Sequence, residues 1–187
     1  LFDQIQNHHI KGIKLYPMSK LFHADDPLCF PVYEIAEKHN IPILYHFGLS
    51  FNALHNLKYG NPIDLASVAL KFPSLKLIIA HFGCGFFREA LLLAAQYRNI
   101  FLDTSSSNQW IDFYPVELTV KDLFYRTYKT VGSRRIIFGT DSSFFPRGFR
   151  NNILEIQLNA CNEINLSRED IDNIFYNNIN DILNNIR

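Results

Sequence analysis

Two apolar segments of this chain end in the same three residues: histidine, phenylalanine and glycine. Residues 41–48 read IPILYHFG and residues 76–83 read KLIIAHFG, while a third apolar segment, RIIFGTDSS, ends on Asp141. A short apolar run that closes on a polar residue is typical of a buried parallel strand, which delivers that residue to the carboxyl edge of its sheet. The pattern therefore predicts that His46, His81 and Asp141 meet at one edge.

Strand and helix patterns alternate along the chain, which indicates a parallel sheet, either open or closed into a barrel. The strand candidates are Ile13–Tyr16, Ile41–His46, Leu75–His81, Ile100–Thr104 and Arg135–Asp141. Amphipathic patterns predict helices over Phe30–His39, Pro62–Phe72, Phe86–Tyr97, Val116–Val131, Asn152–Ile164 and Ser167–Ile186. In a barrel of this kind, chemistry takes place at the carboxyl ends of the strands.

Side chains alternate between the two faces of a strand, so the sequence also predicts which residues share the inner face. On the second strand, Leu44 and His46 are expected to point inward together. On the third strand, Leu77, Ile79 and His81 are expected to share that face. The same rule adds further candidates near the edge, namely Lys14, Tyr16, Asp103, Ser105 and Asp141.

Histidine and aspartate side chains in this arrangement are a partial metal site. Either histidine alone is more simply explained as a structural residue, but the repeated His-Phe-Gly ending favours a shared role. Glycine after each histidine lets the backbone turn sharply. A carboxylate at the end of a buried strand, as predicted for Asp141, needs a partner, and a cation supplies one.

The residues predicted to contact a substrate each have an alternative reading. Lys14 is either a surface residue of an edge strand or a cation facing a substrate anion. Ser105 belongs either to a hydrogen-bonded turn with Asp103 or to the substrate site. Arg147 is either a loop cation or an anion clamp. Histidines in loops and helices are expected to lie on the surface without converging partners, namely His8, His9, His23, His39 and His55.

Length and charge limit the class of protein. A chain of 187 residues suits one domain, here residues 1–187. Lysine and arginine total 18 and aspartate and glutamate total 18, so no charge excess favours nucleic acid or an anionic membrane as a partner. The apolar stretches are shorter than the roughly 18–20 residues that span a bilayer. Three widely spaced cysteines indicate reduced thiols and a cytoplasmic protein.

Five segments, in order, carry a family resemblance: GIKLYP, IPILYHFG, LKLIIAHFG, NIFLDTSSS and RIIFGTDSSFFPRG. They resemble the second family of amidohydrolases, which is related to aminocarboxymuconate-semialdehyde decarboxylase. The resemblance implies a distorted (β/α)8 TIM barrel, with about five of its eight βα units in this chain (strands four to eight). It also implies a divalent metal at the carboxyl-terminal mouth, most often zinc.

The resemblance carries roles over to three residues. His46 matches a metal-binding histidine, and Asp141 matches an aspartate that touches the metal and handles the proton of its water. His81 matches a histidine that polarises the substrate or acts as acid–base in single-metal members and is a ligand in two-metal members. The family's first-strand His-x-His ligands have no counterpart in this sequence. We therefore expect a longer polypeptide, and weak metal binding by the chain alone.

The sequence thus predicts a metal-dependent hydrolase that acts on C–N or C–O bonds, of amide or lactone type, through a metal-activated water. One alternative is a non-oxidative decarboxylase of the same family. Another is a catalytically inactive partial barrel that acts as a scaffold. The expected partner is a small-molecule substrate, with carboxylates among the candidates, and a homo-oligomer is compatible with the sequence.

Overall fold

The computed structural model describes residues 4, 10–142 and 148–186, and its centre is one five-stranded parallel sheet. Every strand pairs with the next one along the chain, so the order in the sheet is the order in the sequence. A doubly wound sheet reverses its strand order, whereas a (β/α)8 barrel wall does not. The chain therefore forms five βα units of a TIM-barrel fold. The strands are β1 (Ile13–Leu15), β2 (Ile43–Tyr45), β3 (Leu77–Ile79), β4 (Ile100–Asp103) and β5 (Ile136–Ile137).

Helices connect the strands and follow the last one. They are α1 (Pro17–Lys20), α2 (Phe30–Lys38), α3 (Leu65–Lys71), α4 (Phe87–Gln96), α5 (Val120–Val131), α6 (Asn151–Glu163), α7 (Arg168–Asp172), a π-helical turn (Asn173–Asn177) and α8 (Asn178–Asn184). Short 3-10 segments lie at Pro27–Cys29, Leu57–Tyr59, Pro62–Asp64, Ala80–Gly83, Gln109–Phe113 and Ser133–Arg135. Within the part of the chain that the structure describes, every helix is too short or too polar to span a membrane.

Three predicted helices differ from the observed ones. The helix expected over Pro62–Phe72 begins as the 3-10 segment Pro62–Asp64, and α3 starts only at Leu65. The helix expected from Val116 begins at Val120, because Thr119 and Asp122 form a capping box that satisfies the free N–H groups there. The single helix expected over Ser167–Ile186 is instead α7, the π-helical turn and α8 in succession. In that turn the Ile174 carbonyl accepts a hydrogen bond from the Phe138 N–H (3.0 Å), which diverts it toward the end of β5.

The register of the strands separates two faces of the sheet. Lys14 lies opposite Leu44, Leu44 opposite Ile78, and Ile78 opposite Phe101, and we call this the inner face. Its apolar members pack with Ile137 and with side chains of α8. Leu77 and Ile79 occupy the opposite, outer face, where they join the main core. The prediction that these two share the inner face with His81 is therefore wrong.

The outer face supplies the main hydrophobic core. It packs against α2, α3 and α4, and its fully buried members include Tyr33, Tyr45 and Phe47. A second buried cluster, centred on Phe82 and Phe124, lies among α4, α5 and α6. Each large apolar side chain buried in this way stabilises the fold by about 1.5–3 kcal/mol relative to exposure. The turns that leave β2 and β3 are thus anchored by a buried phenylalanine each.

Candidate functional site

A cleft of about 280 Å³ lies at the carboxyl edge of the sheet, where the sequence predicts a site. Side chains from the turns after β2, β3, β4 and β5 contribute to it. The three residues predicted to form the centre of the site all line this one cleft. Its lining is His46, Leu49, Ser50, Phe51, His81, Cys84, Ser106, Ser107, Gln109, Trp110, Asp141 and Arg150.

His46 reaches the cleft by ordinary strand alternation. It follows β2 directly, and its N–H donates to the Leu15 carbonyl (3.0 Å), which continues the pairing with β1. It therefore shares the inner side with Leu44, as the sequence predicts. The Tyr16 ring stacks on the imidazole, with ring centroids 5.3 Å apart and an interplanar angle of 20°.

His81 reaches the cleft by a different path. β3 ends at Ile79, and the chain enters a tight turn in which His81 (φ 57°, ψ 39°) and Phe82 (φ 52°, ψ 23°) are left-handed. Left-handed backbone is costly for residues other than glycine, so surrounding contacts must hold it. This turn brings the His81 ring toward His46, with centroids 5.0 Å apart. The alternation rule fails here because the strand has already ended.

The glycine of the first His-Phe-Gly segment lets the two turns pack backbone to backbone. Gly48 has a φ of 81°, and a Cβ built there would collide with the Cys84 carbonyl oxygen. The next residue, Leu49, donates its N–H to that same carbonyl (2.7 Å). The repeated motif is therefore a matched pair of turns that hold both histidines at one place.

Hydrogen bonds indicate which nitrogen of each histidine carries the proton. His81 Nδ1 lies 3.1 Å from the Ser105 carbonyl oxygen, and His46 Nε2 lies 3.4 Å from the Leu49 carbonyl oxygen. A carbonyl can only accept, so both of these nitrogens are donors. The two remaining nitrogens, His81 Nε2 and His46 Nδ1, present lone pairs to each other at 3.1 Å.

With the protons placed in this way, a cation between the two nitrogens would relieve the repulsion of their lone pairs. A proton is disfavoured, because burial, the nearby His81 and then Lys14 lower the pKa of His46 to about 4. A divalent metal suits the pair, since two nitrogens that each lie about 2.0–2.1 Å from one ion are themselves roughly 3 Å apart. The two imidazoles of this structure thus fit two positions of a metal site.

Asp141 lines the same cleft but does not close a three-donor cluster. Its backbone is left-handed, with a φ of 56°. A three-donor group would need its ligand atoms within 4.8 Å of one another. Among the described residues, Asp141 does not form such a group with the two histidines. The two imidazole nitrogens are therefore close enough to share one metal ion, whereas the Asp141 carboxylate is not within the same short distance of both.

Lys14 and Tyr16 lie beside the histidines. Lys14 is on the inner face and exposed, and its contact with a substrate anion stays a prediction. Its Nζ lies 5.1 Å from the centroid of the Tyr16 ring. Lost hydration lowers the pKa of Lys14, and the charges of Asp103 and Asp141 oppose that shift. Lost hydration, then Asp141, raises the pKa of Tyr16.

The other predicted substrate contacts are placed differently. The Ser105 hydroxyl lies behind the His81 ring, 2.8 Å from Nδ1, and its role in substrate binding stays a prediction. Arg147 falls outside the described residues. Sequence reasoning missed Arg150, which lines the cleft and donates to the Thr140 carbonyl (3.4 Å). The sequence signal for Arg150 was that it lies three residues after Arg147, in the same RGFR segment as that predicted substrate contact.

A second group of metal-ligating side chains lies away from the cleft. His23 Nδ1 and Asp64 Oδ2 are 2.9 Å apart, and Asp25 joins them within 4.8 Å. The prediction that His23 has no converging partners is therefore wrong, because Asp64 comes from a segment 41 residues away. The contact ties the loop after α1 to the start of α3. His8 and His9 lie outside the described residues.

These features define a class of protein, a TIM-barrel fold with two histidines and an aspartate lining a cleft at its carboxyl edge. The chain belongs to the amidohydrolase family, whose model matches residues 3–184. Protein fluG of Emericella nidulans is 30% identical over 110 residues, which are 59% of this chain and 12% of fluG.

Solved structures show the same fold at low sequence identity. An uncharacterised TIM-barrel protein from Bordetella bronchiseptica has a TM-score of 0.75 and 20% identity, covering 98% of this chain and 60% of that one. A dihydroxybenzoic acid decarboxylase from Polaromonas sp. JS666, with bound manganese and the inhibitor 2-nitroresorcinol, has a TM-score of 0.68 and 13% identity, covering 97% and 63%. The chain thus spans less than two thirds of these structures.

Proposed function

We propose that this chain carries part of the active site of a metal-dependent hydrolase that cleaves a C–N or C–O bond in a small molecule. The observation that supports this most strongly is the pair of lone-pair nitrogens, His46 Nδ1 and His81 Nε2, 3.1 Å apart in a cleft that Asp141 also lines. Zinc is the proposed metal, because imidazole and carboxylate donors are its usual protein ligands.

In this proposal His46 and Asp141 hold the ion. A bound divalent ion would supply a water of lowered pKa and would polarise a substrate carbonyl. Asp141 takes the proton of the attacking water, since a carboxylate in the cleft can accept it. His81 Nε2 faces the same point with a lone pair, so it either serves as a further ligand or first accepts the water proton from Asp141. As imidazolium it would then stabilise the oxygen charge that develops and pass that proton to the leaving group.

The proposed substrate carries a carboxylate. Lys14 and Arg150 bring positive charge to the cleft region, and Arg147, three residues before Arg150, is proposed to join them. Tyr16, stacked on His46, and Ser105 are the remaining proposed contacts. Trp110, which is buried at the cleft wall, offers an apolar surface for the rest of the substrate.

A non-oxidative decarboxylase is the second candidate. The same cations that would hold a carboxylate would lie beside His81. His81 Nε2 would first take up a proton from solvent and would then give it to the carbon as the bond to carbon dioxide breaks. The similarity of the fold to a dihydroxybenzoic acid decarboxylase favours keeping this candidate. The two reactions differ in product, because only the second releases carbon dioxide.

Metal binding by the purified chain tests the proposal. After treatment with a chelator, we expect calorimetric titration with Zn²⁺ or Mn²⁺ to show binding at the cleft. His46→Gln should weaken it by more than the roughly 10- to 100-fold that changes outside the ligand shell cost. His81→Gln should weaken it as strongly where His81 is a further ligand, and by about 10- to 100-fold where it acts beside the ion. His39→Gln, at the end of α2, is the matched control and should bind as the wild type does.

Two further measurements complete this test. Asp64→Asn removes one donor of the group formed by His23, Asp25 and Asp64. The difference between this variant and the wild type gives the metal bound by that group, and this amount is subtracted from the total. Assays of lactone, amide and aromatic carboxylate substrates with restored metal then separate hydrolysis from release of carbon dioxide. The proposal is wrong if the wild type takes up no divalent metal, or if its uptake is unchanged in both histidine variants.

A further inference from the structure

Two buried side chains lie directly behind His81. Asp103 and Ser105 are each only 7% exposed. The Asp103 Oδ1 oxygen accepts hydrogen bonds from the His81 N–H (3.1 Å) and the Ser105 N–H (3.1 Å), and it also accepts one from the Ser105 hydroxyl. One carboxylate oxygen therefore anchors both the left-handed backbone of His81 and the serine that touches its ring.

The donation from Ser105 to Asp103 determines what the serine offers to His81. A hydroxyl has one proton, and here that proton points to the carboxylate. The side of Ser105 Oγ that faces His81 Nδ1, 2.8 Å away, is then a lone pair. His81 Nδ1 must be the donor, in agreement with its contact to the Ser105 carbonyl.

The structure leaves little freedom for this arrangement to change. A Cβ built on Gly139 would lie 2.8 Å from Asp103 Oδ2 and 2.8 Å from the Ser105 Cβ, so the backbone after β5 packs closely against both residues. The Asp103 carboxylate is thus held on one side by hydrogen bonds and on the other by Gly139.

We infer that Asp103 and Ser105 are positioning residues that hold His81 as the Nδ1–H tautomer and so keep the Nε2 lone pair directed at the cleft. An acceptor on the ring N–H of a histidine raises its basicity and its metal affinity, and Ser105, which Asp103 holds in place, supplies that acceptor here. The tautomer itself is a property of the chain alone. Only the consequence for metal binding rests on the function proposed above.

The tautomer can be measured without metal. In the chelator-treated, ¹⁵N-labelled chain at about pH 8, above the ordinary histidine pKa, long-range ¹H–¹⁵N spectra distinguish protonated from unprotonated ring nitrogens. We expect His81 to show a protonated Nδ1 and an unprotonated Nε2. Ser105→Ala should shift the tautomer ratio toward Nε2–H by about 3- to 10-fold, the effect of one ordinary hydrogen bond. Asp103→Asn, which keeps the side-chain shape, should shift it in the same direction.

A matched control shows whether the change in the His81 tautomer is specific to Ser105 or follows from the removal of any buried serine hydroxyl. Ser133 is 6% exposed and also hydrogen bonded, but its side-chain partners are Asn173 and Asp170. Ser133→Ala should therefore leave the His81 spectrum unchanged. A wild-type His81 protonated on Nε2, or a tautomer ratio unaffected by both Ser105→Ala and Asp103→Asn, overturns the inference.

Metal affinity gives the second readout. Zn²⁺ titrations of Ser105→Ala and Asp103→Asn should show a 10- to 100-fold weaker site, whereas Ser133→Ala should not. If the wild type binds no metal, the proposed function fails while the tautomer measurement still decides the role of the two residues. If metal binds and the tautomer is as expected but affinity is unchanged in both variants, the positioning role for metal is wrong.

Discussion

The turn after β2 and the turn after β3 contain the same three residues but differ in backbone. His46 continues its strand and pairs with β1, whereas His81 lies in a left-handed turn beyond the end of β3. The two histidines also lie at different distances from the last paired residues of their strands, which are Tyr45 and Ile79. His46 comes directly after this aligned pair and His81 one residue later.

The difference shows that a repeated motif does not guarantee a repeated conformation. The two turns are complementary, because the Gly48 backbone packs on the Cys84 carbonyl and leaves no room for a side chain. A second extended turn in place of the left-handed one would leave His81 on the outer side with Ile79. Ala80 separates His81 from the end of β3, and the left-handed turn compensates for this additional residue. It brings the His81 imidazole next to that of His46.

The largest effect is expected from the phenylalanines that anchor the two turns. Phe47 and Phe82 are both fully buried, but in different clusters, the first stacked on Tyr45 and the second packed against Phe87 and Phe124. Phe47→Ala and Phe82→Ala should each lower the free energy of unfolding by about 3–5 kcal/mol. Urea unfolding measures this. A loss below about 1 kcal/mol in either variant would show that its turn is held by other contacts.

Gly48 should give the next largest effect. Gly48→Ala adds a Cβ that collides with backbone at a positive φ, and we expect a loss of about 2–4 kcal/mol of stability. Gly85→Ala is the matched control, because Gly85 also has a positive φ (100°) but nothing lies within 4 Å of its added Cβ. That variant should lose only about 1 kcal/mol. Equal losses in the two would contradict the close packing of the turns.

The sequence was sufficient to locate the strands but not their ends, since β3 ends at Ile79 and β5 at Ile137, before the predicted His81 and Asp141. Apolar runs located all five strands, because parallel strands are largely buried and contain few polar residues, although Lys14 in β1 is exposed. It also placed His46 correctly, since a side chain one residue past a strand still follows the alternation of that strand. The lining of the cleft by His46, His81 and Asp141 follows from the shared carboxyl edge.

The path of His81 could not be predicted from local rules. Positive φ is ordinarily assigned to glycine, yet here it falls on a histidine and a phenylalanine. The acceptor that holds this backbone, Asp103, lies 22 residues away in the chain. The contact between His23 and Asp64 spans 41 residues and was missed for the same reason. Both depend on how separate βα units pack, which no local pattern contains.

The pH dependence of stability should sharpen the contrast between the histidines. His46 has a folded-state pKa of about 4, below the ordinary value near 6.5, so the unfolded chain binds more protons between these values. Its contribution to stability is complete above about pH 6.5 and is lost as the pH falls toward about 4. Without metal, the wild type should lose about 2 kcal/mol more than His46→Gln between about pH 7.5 and about pH 5. Parallel curves for the two proteins would show that His46 is not buried as described.

The smallest effect compares His81 with another left-handed residue. Leu21, which ends α1, has the same φ of 57° as His81, but it is 56% exposed. Leu21→Gly should stabilise the chain by about 0.5–1 kcal/mol, because glycine adopts this backbone without strain. His81→Gly relieves the same strain but removes a ring that bonds Ser105, so it should destabilise the chain by about 1–2 kcal/mol. Opposite signs in urea unfolding would show that the contacts of the imidazole outweigh the strain of its backbone. The same sign in both variants would mean that the turn after β3 is left-handed for reasons other than holding His81.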